Sequence, residues 1–213
     1  MDEVLQLCGV TKEAGHRLLL AGVDRSLRRG EAVGLTGANG SGKTTLLRVI
    51  AGLSRPSSGR IRLFGEEPCA RARRRLGVLL DASFLYGDLT AEENLLYYGR
   101  LYGVPDPRGK AAAWLQKVGL RRDARAPVRT FSKGMRQRLA IARTLLHDPE
   151  LLLLDEPFDG LDARHAARLE EWLDEWTGAR TVLLVGHDRA QLNRFCARTV
   201  RIAAGVLAPE ARA

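Results

Sequence analysis

A chain of 213 residues, 45% hydrophobic and 28% charged, can bury one sizeable core and suits a single domain that carries at most a subdomain. The composition is that of an ordinary globular protein, and no apolar run approaches the ~18–20 residues of a membrane span. A net charge of +9 favours anionic partners, whether nucleotide, nucleic acid or an anionic membrane face, without choosing among them.

The opening Met-Asp-Glu has no basic-then-apolar signal pattern, so a cytoplasmic location is expected. Cys8, Cys69 and Cys196 lie far apart and form no C-x-x-C pair, and the histidines lack metal spacing. Neither a disulfide framework nor a zinc site is expected; each cysteine is expected to be buried as a small hydrophobe.

In chain order, Val4 to Cys8, Arg17 to Leu20 and Asp24 to Arg28 read as strands, followed by a turn at Arg29-Gly30. Ala32 to Thr36 is a short buried strand, and Thr45 to Ala51 a helix with a broad apolar face. Between them stands Gly37-Ala38-Asn39-Gly40-Ser41-Gly42-Lys43-Thr44, which fits G-x-x-x-x-G-K-[ST] in its required strand–loop–helix context. Glycines let the backbone bring its N–H groups against phosphate oxygens, and the helix N-terminus adds its dipole. Lys43 supplies a mobile charge for the β- and γ-phosphates, and the Thr44 hydroxyl can join a Mg²⁺ shell.

Beyond the loop Ser54 to Gly59, Arg60 to Phe64 alternates as a strand. The run Arg71-Ala72-Arg73-Arg74-Arg75 has no interleaved aromatics for stacking bases and reads as a solvated helix face. Leu76 to Leu80 is a buried strand ending at Asp81, which either reaches Mg²⁺ or water or caps a turn. Thr90-Ala91-Glu92-Glu93 is a capping box that opens a helix through about Leu101. Lys110 to Val118 is a second helix, and Ser132 is the N-cap of a third that Asp148-Pro149 ends. An inserted helical subdomain is therefore expected over about 82–149.

Leu151 to Leu154 has the length of a central parallel strand and delivers Asp155-Glu156 at its C-terminal end, where open α/β sheets bind ligands. Asp155 is the expected Mg²⁺ partner of the phosphate loop, and Glu156 can polarise an attacking water as general base. Asp162 caps a helix to about Trp176, and the strand Thr181 to Val185 projects His187 to the same sheet edge. His187 either binds the γ-phosphate, holds Glu156 and water, or is structural. A helix over about 189–197, a strand from Thr199 to Ala203 and a turn at Gly205 follow.

Taken together these segments resemble an ABC-type ATPase over essentially the whole chain. Gly37 to Thr44 resembles Walker A, Leu151 to Glu156 Walker B, and Phe131-Ser132-Lys133-Gly134-Met135 the LSGGQ signature. Asp159-Gly160-Leu161-Asp162 resembles the D-loop and His187 the switch histidine. The resemblance implies an α/β P-loop NTPase: a RecA-like core and N-terminal antiparallel β subdomain (1–81 and 150–213) with the helical insertion. It implies ATP and Mg²⁺, held by Gly37 to Thr44 with Thr45, and by Thr44, Asp155 and Asp81, with Glu156 and His187 catalytic. It also implies a second nucleotide-binding subunit, whose γ-phosphate Ser132, Lys133 and Gly134 would touch.

That family works on membrane permease subunits, which implies a peripheral position on the cytoplasmic face of the cell membrane; no nucleic-acid partner is expected. Departures are Lys133 and Met135 within the signature, Asp81 where the family has a Q-loop glutamine, and no Phe, Tyr or Trp among residues 1–63 to stack adenine. Near the stacking position lie Ala14, His16 and Leu18. The stretch Leu85 to Asn94 is similar to ABC-2 exporter ATPases, and with Phe131 to Arg138 and the short C-terminus also to haem-exporter subunits of cytochrome c maturation, the reading the residues are taken to favour. A soluble ATPase acting on ribosomes or DNA is disfavoured by the single Walker A and the lack of a long coiled coil. A nucleotide-binding regulator without turnover is disfavoured by the intact Lys43, Asp155, Glu156 and His187.

Overall fold

The all-apolar segments form the middle of a parallel sheet, because strands covered on both faces have no polar side to offer water. The computed structural model describes residues 2–80 and 84–208. In chain order the elements are β1 (Glu3–Ala14), β2 (Arg17–Arg28), β3 (Ala32–Thr36), α1 (Lys43–Ile50), β4 (Ser58–Leu63), α2 (Ala70–Arg73), β5 (Leu76–Leu79), α3 (Ala91–Tyr102) and α4 (Pro107–Lys117). They continue as α5 (Lys133–Leu145), β6 (Leu151–Asp155), α6 (Ala163–Trp176), β7 (Thr181–Val185), α7 (Arg189–Phe195), β8 (Arg198–Ala203) and β9 (Val206–Leu207). The main sheet runs β5-β6-β7-β3-β8-β9 and is parallel except for the last pair; a second, antiparallel sheet runs β2-β1-β4.

Strand periodicity divides the leucine run between two cores. Leu152 and Leu154 face the cluster built with α3 to α7, whereas Leu151 and Leu153 face the cluster that includes α1 and the antiparallel sheet. All four are at most 3% exposed. Burying each such side chain contributes roughly 1.5–3 kcal/mol, so this strand anchors both layers. Helix α5 ties α3 to the sheet: Leu139, Ile141 and Leu145 share one cluster with Leu95 of α3 and with Leu154.

Caps set the helix starts. Thr90 Oγ1 accepts from Glu93 N at 3.1 Å while Glu93 Oε2 accepts from Thr90 N at 2.8 Å, the reciprocal capping box. Ser132 Oγ accepts from Met135 N at 3.2 Å, and Asp162 Oδ1 accepts from His165 N at 2.9 Å. Asn94 is fully buried, and its side-chain amide binds Tyr86 N at 2.8 Å and Tyr86 O at 3.0 Å, pinning the segment before α3.

Three expectations change. The two strands read between Arg17 and Arg28 are one strand, β2, whose pairing with β1 shifts register around Val10 and Val23; Gly9 and Gly22 absorb the irregularity. Only Cys196 is buried; Cys8 points outward on β1 opposite Arg60, and Cys69 caps α2 through its sulfur. The basic run is not uniformly solvated. Arg75 lies 3.6 Å over the Phe64 ring and binds Glu150, because the chain turns inward there to start β5.

Candidate functional site

Adjacent strand ends bring the charged residues together. Leu35 of β3 pairs with Val185 of β7, which pairs with Asp155 of β6, so these residues form one row across the sheet. One residue further, Glu156 N donates to Val185 O at 3.0 Å and Gly186 N to Leu35 O at 3.3 Å. The glycine loop, Asp155-Glu156 and Gly186-His187 therefore emerge side by side at the C-terminal edge.

The loop between β3 and α1 is held too closely for side chains. A Cβ on Gly37 would sit 2.4 Å from Ile202 O. Gly42, with φ of 111°, would place one 2.8 Å from Leu19 O. Lys43 is buried and donates through Nζ to Gly37 O at 2.8 Å and Ala38 O at 3.1 Å, so the loop carbonyls satisfy its charge. Ala38, Asn39 and Gly40 form the exposed tip, and Thr45 is half-buried in the first turn of α1. Ser41 is buried, and its Oγ has no hydrogen-bond partner among the described residues.

Thr44 Oγ1 donates to Asp155 Oδ2 at 2.7 Å, with Asp155 5% exposed. Glu156 has φ of 48°, a left-handed conformation that costs a non-glycine residue of order 1–3 kcal/mol. The sharp turn leads the chain out of β6, and Glu156 Oε1 meets His187 Nε2 at 2.6 Å.

A cavity of about 340 Å³ extends from Thr44, Asp155 and Glu156 past Leu80 to Lys133 and Asp159. The three residues read as signature-like gather at its far side. Ser132 and Lys133 are exposed, Lys133 Nζ meets Asp159 Oδ2 at 2.7 Å, and Gly134 sits so close to Gly160 O that a Cβ would lie 2.6 Å from it. Ser132 to Gly134 form the start of α5, with Lys133 lining the cavity that Thr44 also lines. Asp81 lies outside the described residues.

The donor set fits a Mg²⁺–nucleotide better than a protein-only metal centre. Among the described residues no group of three or more His, Cys, Asp or Glu side chains could hold a metal ion. The Thr44 hydroxyl and Asp155 carboxylate offer two hard oxygens, leaving the other positions of an octahedral ion to phosphate and water. Two arginines escaped sequence reading: Arg136, which also lines the cavity, and Arg17, whose Nη2 lies 3.9 Å from the Cβ position of Gly40. Nothing local singles out Arg17; a reader could find it only by folding the Gly15-His16 turn back over the loop.

Comparison with known proteins agrees with this architecture. A family model described as "ABC transporter" matches residues 20–159. The Nod factor export ATP-binding protein I of Ralstonia nicotianae is 40% identical over 202 residues, 91% of this chain and 62% of the relative. The linearmycin resistance ATP-binding protein LnrL of Bacillus subtilis is 36% identical over 92% of this chain and 65% of its own length. The chain thus spans less than two thirds of these curated relatives. An ATP-binding cassette solved as a dimer in a post-hydrolysis state with ADP and Pi superposes with a TM-score of 0.87 at 27% identity, covering 98% of this chain and 99% of that one. The α/β architecture, with its antiparallel β layer and P-loop sheet, is the fold of such nucleotide-binding domains.

Proposed function

Because the chain belongs to the ABC transporter family as an ATP-binding domain, we propose that it is the ATP-hydrolysing subunit of an exporter of the ABC-2 kind. It acts in pairs on the cytoplasmic face of a membrane, docked on separate permease subunits. The relatives named for Nod factor export and linearmycin resistance support an export role, and neither name supports the haem-exporter reading. Among the described residues no helix is long and apolar enough to cross a membrane, so crossing is assigned to the permease.

The observation that carries this proposal is the convergence of Lys43-Thr44, Asp155-Glu156 and His187 on three neighbouring strand ends. The loop N–H groups and the α1 dipole bind the phosphates, and Lys43 turns from the loop carbonyls to the β- and γ-oxygens. Thr44 and Asp155 would hold Mg²⁺, which when bound would supply charge neutralisation to the phosphate oxygens. Glu156 orients a water for in-line attack and takes up its proton, while His187 fixes the carboxylate through the 2.6 Å contact. Ser132 and Gly134, at the N-terminus of α5, bind the γ-phosphate held by the other copy. Cleavage of the bond from the γ-phosphorus to its bridging oxygen removes that shared group, and the copies part.

Phosphate release by the purified chain tests the proposal. Steady ATP turnover that disappears in Lys43→Ala supports it; turnover that survives the substitution refutes it. Vesicle association that needs a co-expressed membrane subunit separates the transport role from a soluble one.

A further inference from the structure

The basic run before β5 uses its charges unequally. Arg71 meets Glu66 at 3.0 Å and Arg75 meets Glu150 at 2.5 Å, so both have a carboxylate partner. Arg73 is exposed and, among the described residues, its side chain engages no hydrogen bond or ion pair. Its guanidinium lies over Gly52, where a Cβ would sit 2.7 Å from Nε and 2.9 Å from Cζ and Nη2. Gly52 follows the C-cap of α1, and the carbonyl end of that helix favours a cation there without neutralising it.

Arg73 lines a groove of about 270 Å³ together with Arg55, Arg60 and Glu67. Arg55 and Arg60 are exposed, and their side chains also lack a partner among the described residues. The walls are held in place: Lys12 Nζ donates to Arg55 O at 2.9 Å, Ser57 N donates to Thr11 O at 2.8 Å, and Arg60 pairs with Cys8 across β1 and β4. Three guanidinium groups against one carboxylate leave two positive charges unmet. Guanidinium forks match both carboxylate and phosphate oxygens, but a single carboxylate would meet only one of those charges. A phosphate monoester carries about two negative charges at neutral pH and three acceptor oxygens. No aromatic side chain lines the groove, so a nucleic-acid base would find nothing to stack on. We propose that this groove binds a phosphate monoester, with Arg55, Arg60 and Arg73 as its ligands. It shares no lining residue with the cavity beside Thr44 and Asp155, so it is a second anion site. The monoester is carried by a lipid headgroup or by a small soluble molecule.

Sedimentation of the full chain with phosphatidylcholine vesicles tests the lipid source, and phosphorus NMR titration of glycerol 3-phosphate tests the soluble one. Vesicles carrying phosphatidate, a monoester, should bind more of the chain than vesicles of equal total charge carrying phosphatidylglycerol, a diester. Arg60→Gln combined with Arg73→Gln should weaken that binding on the order of 30-fold, roughly fivefold for each arginine beside an anionic headgroup. Arg108→Gln combined with Lys110→Gln removes two exposed cations from α4 instead and should change nothing. Glycerol 3-phosphate binding without vesicle binding, lost in the Arg60 and Arg73 variant and kept in Lys43→Ala, would support the same site with a soluble ligand. Equal loss in the α4 variant, or equal binding to the diester vesicles, would reduce the effect to diffuse attraction by the net charge and overturn the proposal. Binding of neither probe, or binding that the Arg60 and Arg73 substitutions leave intact, would overturn it as well.

Discussion

His187 Nε2 lies 2.6 Å from Glu156 Oε1, so the side chain that follows β7 steadies the carboxylate that follows β6. Both are well exposed, at 51% and 38%, and an exposed pair adds little to stability. Its value is positional. His187→Ala should lower kcat by about 10²-fold, the order expected for loss of one positioned polar partner, with nucleotide affinity and Tm nearly unchanged. Phosphate release and nucleotide titration on the same preparation check this; a raised KM with intact kcat would place His187 in binding instead.

Lys133 is held by Asp159 at 2.7 Å, with the two side chains 68% and 55% exposed. Such a pair contributes no more than about 1 kcal/mol, so Lys133→Ala should leave thermal stability close to wild type. If Lys133 turns to the partner's triphosphate when two copies meet, the same substitution should weaken ATP-dependent dimerisation several-fold. The effect should shrink as salt rises. Sedimentation at fixed ATP measures it, and unchanged association would remove Lys133 from the phosphate-binding set.

Much of this was legible in the chain because the decisive signals are local. The leucine run 151–154 needed no partner to be read as a buried strand, and Thr90 with Glu93 announced its helix start. Gly37 to Thr44 carries its backbone requirements in its own residue types. Other features depend on what folds back from far away. Cys8 and Cys69 looked like core residues until the antiparallel sheet and the α2 cap turned them outward. The continuity of β2 required Gly22 to absorb a register shift that its neighbours did not advertise. Arg17 was one cation among 34 lysines and arginines until the hairpin laid it beside Gly40.

At the opposite edge of the sheet, hydrogen bonds from Arg75, reinforced by Arg29, lower the Glu150 carboxyl from an ordinary 4.5 to about 2. A carboxylate whose folded value is depressed stabilises the protein above its unfolded value and loses that contribution as pH falls toward the folded one. Wild type should therefore lose Tm between about pH 4.5 and 2. Glu150→Gln should start less stable at neutral pH and lose less over that window. Parallel acid dependence in the two proteins would show that Glu150 does not carry the effect.

Base selectivity should be poor, since the first 63 residues lack an aromatic to hold a base in one place. ATP and GTP should compete for the isolated chain within about tenfold of one another, because stacking alone tolerates any base. Low-micromolar ATP binding with far weaker GTP binding would point to a purine-reading contact that the described residues do not provide.

The central claim is that a triphosphate is shared between two copies and that Glu156 is needed for its cleavage. Glu156→Gln keeps the side-chain shape but cannot accept the water's proton. Light scattering of this variant with ATP and Mg²⁺ is the most direct measurement. The account predicts a stable species of twice the 23.4 kDa chain mass that retains uncleaved ATP. A variant that stays monomeric and hydrolyses ATP at the wild-type rate would contradict it.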